Sequence, residues 1–359
     1  MSDWPVGLST GCFYQRSIFD CLELISRGGF NIIEVCSFPV HLNYHDPDMV
    51  ARAAHRVEEL GMETYSFHAP FADHIDISSS DPSLRKKALA EIIQAAEAAA
   101  AFRVRYFVIH PGPESWDLKE QAERFERLKW AAETLNQVAE CCSRLEIGCV
   151  FENKLPHLLF AHTSDLLWIL ATMASVEVGV CFDTGHANLT GDIHSVIHKL
   201  SGHLRMVHAH DNQGGGDEHL APGRGFIDWN WVLTELDQTG FHGGIILELS
   251  SMIDTQELLA EAKRAKRFLR DIGRRLALSR PPTARASKRQ QPRAHGPSLT
   301  PTWPSRCWKI TSYLLNWNDL SLKTPGSRSR RSLKKSLGFI PRLGGWSNIR
   351  LKPSFASPA

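Results

Sequence analysis

The chain has 359 residues, 43% of them hydrophobic and 22% charged, a globular composition with enough material for one large core. No apolar run approaches the roughly 18 residues of a membrane helix, which excludes a spanning protein, and MSDWPVGLSTG has no basic stretch leading into an apolar one, so no secretion signal is expected. The net charge of +2 joins two unlike parts: 280–359 hold 16 of the 41 Lys and Arg and one acid, leaving 25 basic and 38 acidic residues, net −13, in 1–279.

Short apolar runs rich in Val, Ile, Phe and Cys fall at 6–10, 31–36, 63–67, 105–110, 147–152, 178–183, 205–210 and 244–249, and read as strands buried on both faces. Amphipathic stretches between them predict helices, among them 82–102, 118–142, 163–174 and 256–272. Asp81-Pro82 and Thr163-Ser164-Asp165 supply expected N-terminal caps. Eight strands alternating with helices in about 270 residues is the count of a (β/α)8 TIM barrel, an α/β fold. An open doubly wound sheet is the competitor, but no GxGxxG follows the first strand. Two regions follow: a barrel at 1–279 and a basic Pro/Ser/Arg-rich tail at 280–359, expected to be disordered. Such a tail fits either a tether for polyanions or the product of a shifted reading frame, and Trp303, Trp308, Trp317 and Trp346 favour the latter. The eight cysteines form no CxxC pair, and Cys12, Cys36, Cys149 and Cys181 lie in apolar runs, as buried thiols of a reducing cytoplasm do.

Polar residues gather where these runs end: Glu34, His68, His110, Glu152, Asp183, His186, His208, His210, Asp211, Asp217, His219 and Glu248. A lone His on an apolar strand is usually a hydrogen-bonded core residue. Six of the eight runs, however, have His, Asp or Glu at their C-terminal end or one residue from it. In a barrel these ends converge on one mouth, and burying so many ionisable groups without a cation is costly. A shared divalent metal is expected. Asp183-Thr-Gly-His186 sets a carboxylate and an imidazole one turn apart, and Asp217-Glu-His219 lies in a glycine-rich loop that the following Pro222-Gly223 and Gly225 define. Glu152 and Glu248, on the fifth and eighth strands, would approach a substrate from different sides, as a proton-removing and proton-returning pair does.

The segments VFENK, VCFDTGHANLTGDI, VHAHDNQGGGDEHLAPGRGFIDW and IILELS resemble the xylose isomerase-like superfamily of metal-dependent TIM barrels over roughly residues 5–275. The resemblance implies a sugar or sugar-phosphate isomerase or epimerase, acting on a sugar or related polyol-ketone by proton transfer through a metal-stabilised enediolate. Glu152, Asp183, His208 and Glu248 would hold Mn2+, Mg2+, Co2+ or Zn2+, with Glu152 and Glu248 as the catalytic acid and base. His68 and His186 would orient substrate hydroxyls, and Lys154 and Arg224 would bind substrate oxygen or phosphate, a role His157 in ENKLPH shares with a plain surface position. The resemblance also implies a carbohydrate partner and leaves a homo-oligomer open, related barrels often being dimers or tetramers; no membrane partner and a cytoplasmic location are the expectations of the short apolar runs and the buried thiols.

The same pattern matches the trinuclear zinc site of apurinic endonucleases of the endonuclease IV type. His68, His110, Glu152, Asp183, His186, His208, Asp217, His219 and Glu248 stand in the same order, so His68, His110, His186, Asp217 and His219 are additional candidate ligands. A zinc-dependent phosphodiester hydrolase acting on abasic DNA is therefore the alternative. Gripping a nucleic-acid backbone needs Lys and Arg around the site, and the loops after the strand ends of this acidic barrel are poor in them; the loop after the seventh strand has only Arg224. The endonuclease motifs are DTCH and HLND where this chain has DTGH and HAHD, which places it nearer the isomerases.

Overall fold

The computed structural model describes residues 4–115, 123–175 and 177–279. The expected tail at 280–359 and the expected helix start at 118 lie outside the described residues. In chain order, β1 (Val6–Ser9) leads through a short 3-10 turn (Thr10–Phe13) to α1 (Ile18–Arg27). Next come β2 (Ile32–Cys36), α2 (Pro47–Glu59), β3 (Glu63–His68), α3 (Pro82–Ala101), β4 (Tyr106–Ile109), α4 (Arg124–Arg144), β5 (Gly148–Glu152) and α5 (Thr163–Thr172). The chain continues with β6 (Val178–Asp183), α6 (Thr184–Leu189), α7 (Ile193–Leu200), β7 (Leu204–Ala209), α8 (Trp229–Gln238), β8 (Ile245–Leu247) and α9 (Thr255–Ser279). All neighbouring strands pair in parallel, and β8 pairs with β1, so the sheet is a closed barrel and not the open doubly wound alternative.

The period of two along a strand decides what the barrel contains. Val150 points inward and Phe151 outward; the same alternation makes Val108, Cys181, Met206 and Ile246 an apolar interior layer with Tyr65. Phe107, Phe182, Val207 and Leu247 face the helices in the main core. Two residues further along each strand the inward position is His110, Glu152, Asp183, His208 or Glu248. Every candidate ligand in that row therefore stands one layer above a buried apolar residue, at the C-terminal mouth.

Local sequence explains the boundaries. Asp46 and Asp81 cap α2 and α3, each followed by a proline whose missing N–H costs nothing at a first helical position. The cap expected from Thr163-Ser164-Asp165 is corrected: His162 occupies that position without a side-chain hydrogen bond. Asp165, in the first turn, forms an ion pair with Arg124 of α4. All seven described cysteines are free and buried. Among the described residues, no helix is long and apolar enough to cross a membrane.

Candidate metal centre and active site

The strand ends deliver Glu152, fully buried, to the centre of the mouth. Its carboxylate has four histidines around it: His68 Nε2 at 3.2 Å, His208 Nδ1 at 3.3 Å, His110 Nε2 at 3.4 Å and His186 Nδ1 at 3.5 Å. Glu248 reaches His208 Nδ1 from β8, Oε2 lying 3.4 Å away. The ligand atoms of Glu152, Asp183, His208 and Glu248 all lie within 4.8 Å of one another.

The orientation of His208 is fixed from behind. Its Nε2–H donates to Glu34 Oε2 at 2.9 Å, and Glu34 is held by the hydroxyls of Ser9 (3.0 Å) and Ser66 (2.8 Å). Nδ1 is turned to the carboxylates and has no hydrogen-bond partner. The other histidines follow the same rule, one N–H spent on a protein acceptor and the second nitrogen turned inward. His68 Nδ1 donates to Ala69 O (2.9 Å), His110 Nδ1 to Glu114 Oε1 (2.8 Å) and His186 Nδ1 to Asn153 O (2.8 Å). His219 Nδ1 donates to Glu248 O (3.2 Å) and His210 Nε2 to Asp183 Oδ2 (2.9 Å). Imidazoles oriented in this way by carbonyls and carboxylates are the usual support of metal ligands. An orphaned, buried His208 Nδ1 among three carboxylates fits a divalent cation of the Mn2+, Mg2+, Co2+ or Zn2+ kind.

The charge balance agrees. Burial opposes protonation of His68, yet its hydrogen bond to Glu152 and the surrounding carboxylates push it up to about 9. Burial likewise opposes charge on His208, and Cys181, Glu248, Glu34 and Glu152 still drive it well above the usual histidine range. The metal-free cluster thus gathers protons to offset its carboxylates, which is the deficit a cation fills. Burial, with the charges of Glu34 and Glu152, pushes Glu248 up to about 7 despite the opposing His208 charge.

A second group centres on Asp217. Its Oδ2 lies 3.2 Å from His219 Nε2 and 3.4 Å from His186 Nε2, and its Oδ1 lies 3.8 Å from His210 Nδ1. The glycine-rich loop carrying Asp217 is pinned at both ends. Asp211 and Leu220 exchange backbone hydrogen bonds, and His219, held at φ 48°, is tied to β8.

Around these groups lies a cavity of about 360 Å3. Seven of the nine endonuclease-pattern residues line it (His68, His110, Glu152, His186, Asp217, His219 and Glu248), while Asp183 and His208 lie buried beside them. Its other wall is apolar and was not foreseen: Tyr14, Phe38 and Phe71 form a chain of ring contacts at 5.1 and 5.5 Å, with Leu155, Leu158 and Leu249 nearby.

Lys154 lines the cavity but is buried, its Nζ 2.6 Å from Glu114 Oε1 and 2.9 Å from His110 Nδ1. Burial lowers its pKa, and the same pair holds the half-buried Glu114 at about 2 against its own burial. His157 is exposed, as its surface reading has it. Arg224 is not brought to the site: it is exposed, is absent from the cavity lining, and its guanidinium makes two hydrogen bonds to Glu261 of α9, at 2.8 and 2.7 Å. Asp211 is no ligand either, because its carboxylate accepts from Gly223 N, Ile227 N and Trp229 Nε1. Glu114 carried no sequence signal, standing alone in the loop just after Pro111 and Pro113.

Residues 22–272 match the family described as the xylose isomerase-like TIM barrel. The chain belongs to that family. The chain is 30% identical, over 270 residues, to the uncharacterized protein MJ1311 of Methanocaldococcus jannaschii, covering 72% of this chain and 89% of that one. A match of 140 residues at 24% identity, 38% of this chain and 51% of the relative, is to the fructoselysine 3-epimerase of Escherichia coli O157:H7. Among solved structures, a D-tagatose 3-epimerase-like protein superposes with a TM-score of 0.66 at 27% identity, over 76% of this chain and 98% of that one. An L-ribulose 3-epimerase shares the fold, with a TM-score of 0.61 at 19% identity over 80% of this chain and 99% of the other.

Proposed function

We propose that the chain is a metal-dependent epimerase or isomerase of a sugar, sugar phosphate or related polyol-ketone. The observation that carries this reading is the pair of carboxylates, Glu152 and Glu248, meeting at His208 Nδ1 from different strands, 3.3 and 3.4 Å away, at the edge of one cavity. The 3-epimerases among the similar proteins support the sugar class. Glu152, Asp183, His208 and Glu248 would hold a divalent cation, which supplies Lewis acidity that makes a C–H beside a substrate carbonyl easier to deprotonate. Glu248 and Glu152, reaching the site from different strands, would take and return the proton on opposite faces of the substrate. His68 and His186 present ring nitrogens to substrate hydroxyls, while Tyr14, Phe38 and Phe71 pack against the sugar's C–H face and keep water out.

The test is a screen of ketoses and their phosphates with chelated protein reloaded with Mn2+ or Co2+. Glu152→Gln and Glu248→Gln are each expected to lower kcat about 1,000-fold. Near-normal turnover in either variant refutes the two-carboxylate scheme.

The gathering of all nine endonuclease-pattern side chains supports a second reading, a zinc-dependent hydrolase of abasic DNA. The net charge of −13 over residues 1–279 argues against it. Elemental analysis separates the two: about one ion per chain accompanies the isomerase, and three zinc ions with cleavage of an abasic duplex accompany the hydrolase.

A further inference from the structure

His210 is fully buried and donates from Nε2 to Asp183 Oδ2 at 2.9 Å. The same Asp183 caps α6, its Oδ1 accepting the His186 N–H at 2.7 Å. Both carboxylate oxygens are thus held in place, one by the helix it opens and one by an imidazole from the next strand. The ring of His210 lies directly against Gly185. A methyl group at position 185 would reach within 2.7 Å of Nε2 and closer still to Cε1 and Nδ1, so the ring and any side chain at 185 exclude each other. Gly185 has an ordinary negative φ and sits in the first turn of α6. Its lack of a side chain answers no backbone demand, and a helix there would gain from alanine. The surrounding bonds zip the same two segments together. Thr184 Oγ1 donates to His210 O at 2.7 Å and accepts His210 N–H at 3.2 Å, and Asn212 Nδ2 donates to Gly185 O at 2.9 Å.

We propose that Gly185 and His210 form an interlock that positions Asp183: the glycine makes room for the imidazole, and the imidazole sets the carboxylate for the cation. Neither residue is a catalytic residue in this scheme; both act through Asp183. The inference rests on the metal reading of the site, and its test is built to tell the two apart.

Mn2+ and Co2+ affinities are measured by titration calorimetry on the full chain, as wild type, Gly185→Ala, His210→Ala and the double variant, with folding checked by circular dichroism. Gly185→Ala and His210→Ala are each expected to weaken binding about 10- to 100-fold, with a changed visible spectrum of bound Co2+. With the ring absent the methyl group has nothing to displace. The double variant is therefore expected to bind within about twofold of His210→Ala, the non-additivity expected of two residues in contact. Wild-type affinity in Gly185→Ala, or losses that multiply in the double variant, overturns the interlock while leaving the metal reading intact. Wild-type chain that takes up neither ion overturns both. If Gly185→Ala alone does not fold, recovery of folding in the double variant supports the interlock, and failure in both backgrounds refutes it.

Discussion

Glu34 is not part of the cavity lining, yet it decides which nitrogen of His208 is offered to the site. Glu34→Gln replaces the charged acceptor with a neutral one. It is expected to weaken Mn2+ binding about 10-fold or more, and an unchanged calorimetric affinity would contradict the role. Residues of this kind mark where the sequence was legible. Glu152, Asp183 and His208 could be read because each lies at or near the end of an apolar run and follows an inward apolar residue by two places. Glu34 lies inside its run, two places after Ile32, and its function depends on Ser9, Ser66 and His208, brought to it by three other strands. Arg224 was misread for the opposite reason. A charge in a loop states nothing about its direction, and the partner that turns it outward, Glu261, stands 37 residues further on.

At the scale of elements, the segment between β7 and α8 is organised by Asp211. Its buried carboxylate accepts from Gly223 N at 2.9 Å, Ile227 N at 3.1 Å and Trp229 Nε1 at 2.9 Å, so it fixes the path on which Asp217 and His219 ride. Asp211→Ala leaves those donors without an acceptor, at about 1–3 kcal/mol for each one that stays buried. The expected loss is about 3–5 kcal/mol, read as a lower urea midpoint, and a midpoint within experimental error of wild type would remove Asp211 from this role. The strands were foreseen to within a few residues because both faces are apolar and the runs stand out. The start of α5 at Thr163 was legible as well, but its capping residue was not: His162 holds that position without a side-chain hydrogen bond, while Asp165 pairs with Arg124, a contact that no local rule contains.

For the whole molecule, the barrel and its candidate ion are linked equilibria. The carboxylates of the mouth repel one another without a cation, so a ligand that binds only the folded state stabilises it by mass action. Mn2+ at 100 times its dissociation constant adds about 2.7 kcal/mol, a rise in Tm of roughly 5–10 °C for a domain of this size. Calorimetric scans of chelated and reloaded protein check this, and a Tm indifferent to Mn2+ across that range counts against a cation at the site. The layer of Tyr65, Val108, Val150, Cys181, Met206 and Ile246 beneath the ligands has a further consequence. It closes the barrel from below, making a cup and not a tube. Whatever enters from above departs by the same doorway, so under the proposed epimerase reading a product leaving the cup competes with incoming substrate for that one opening.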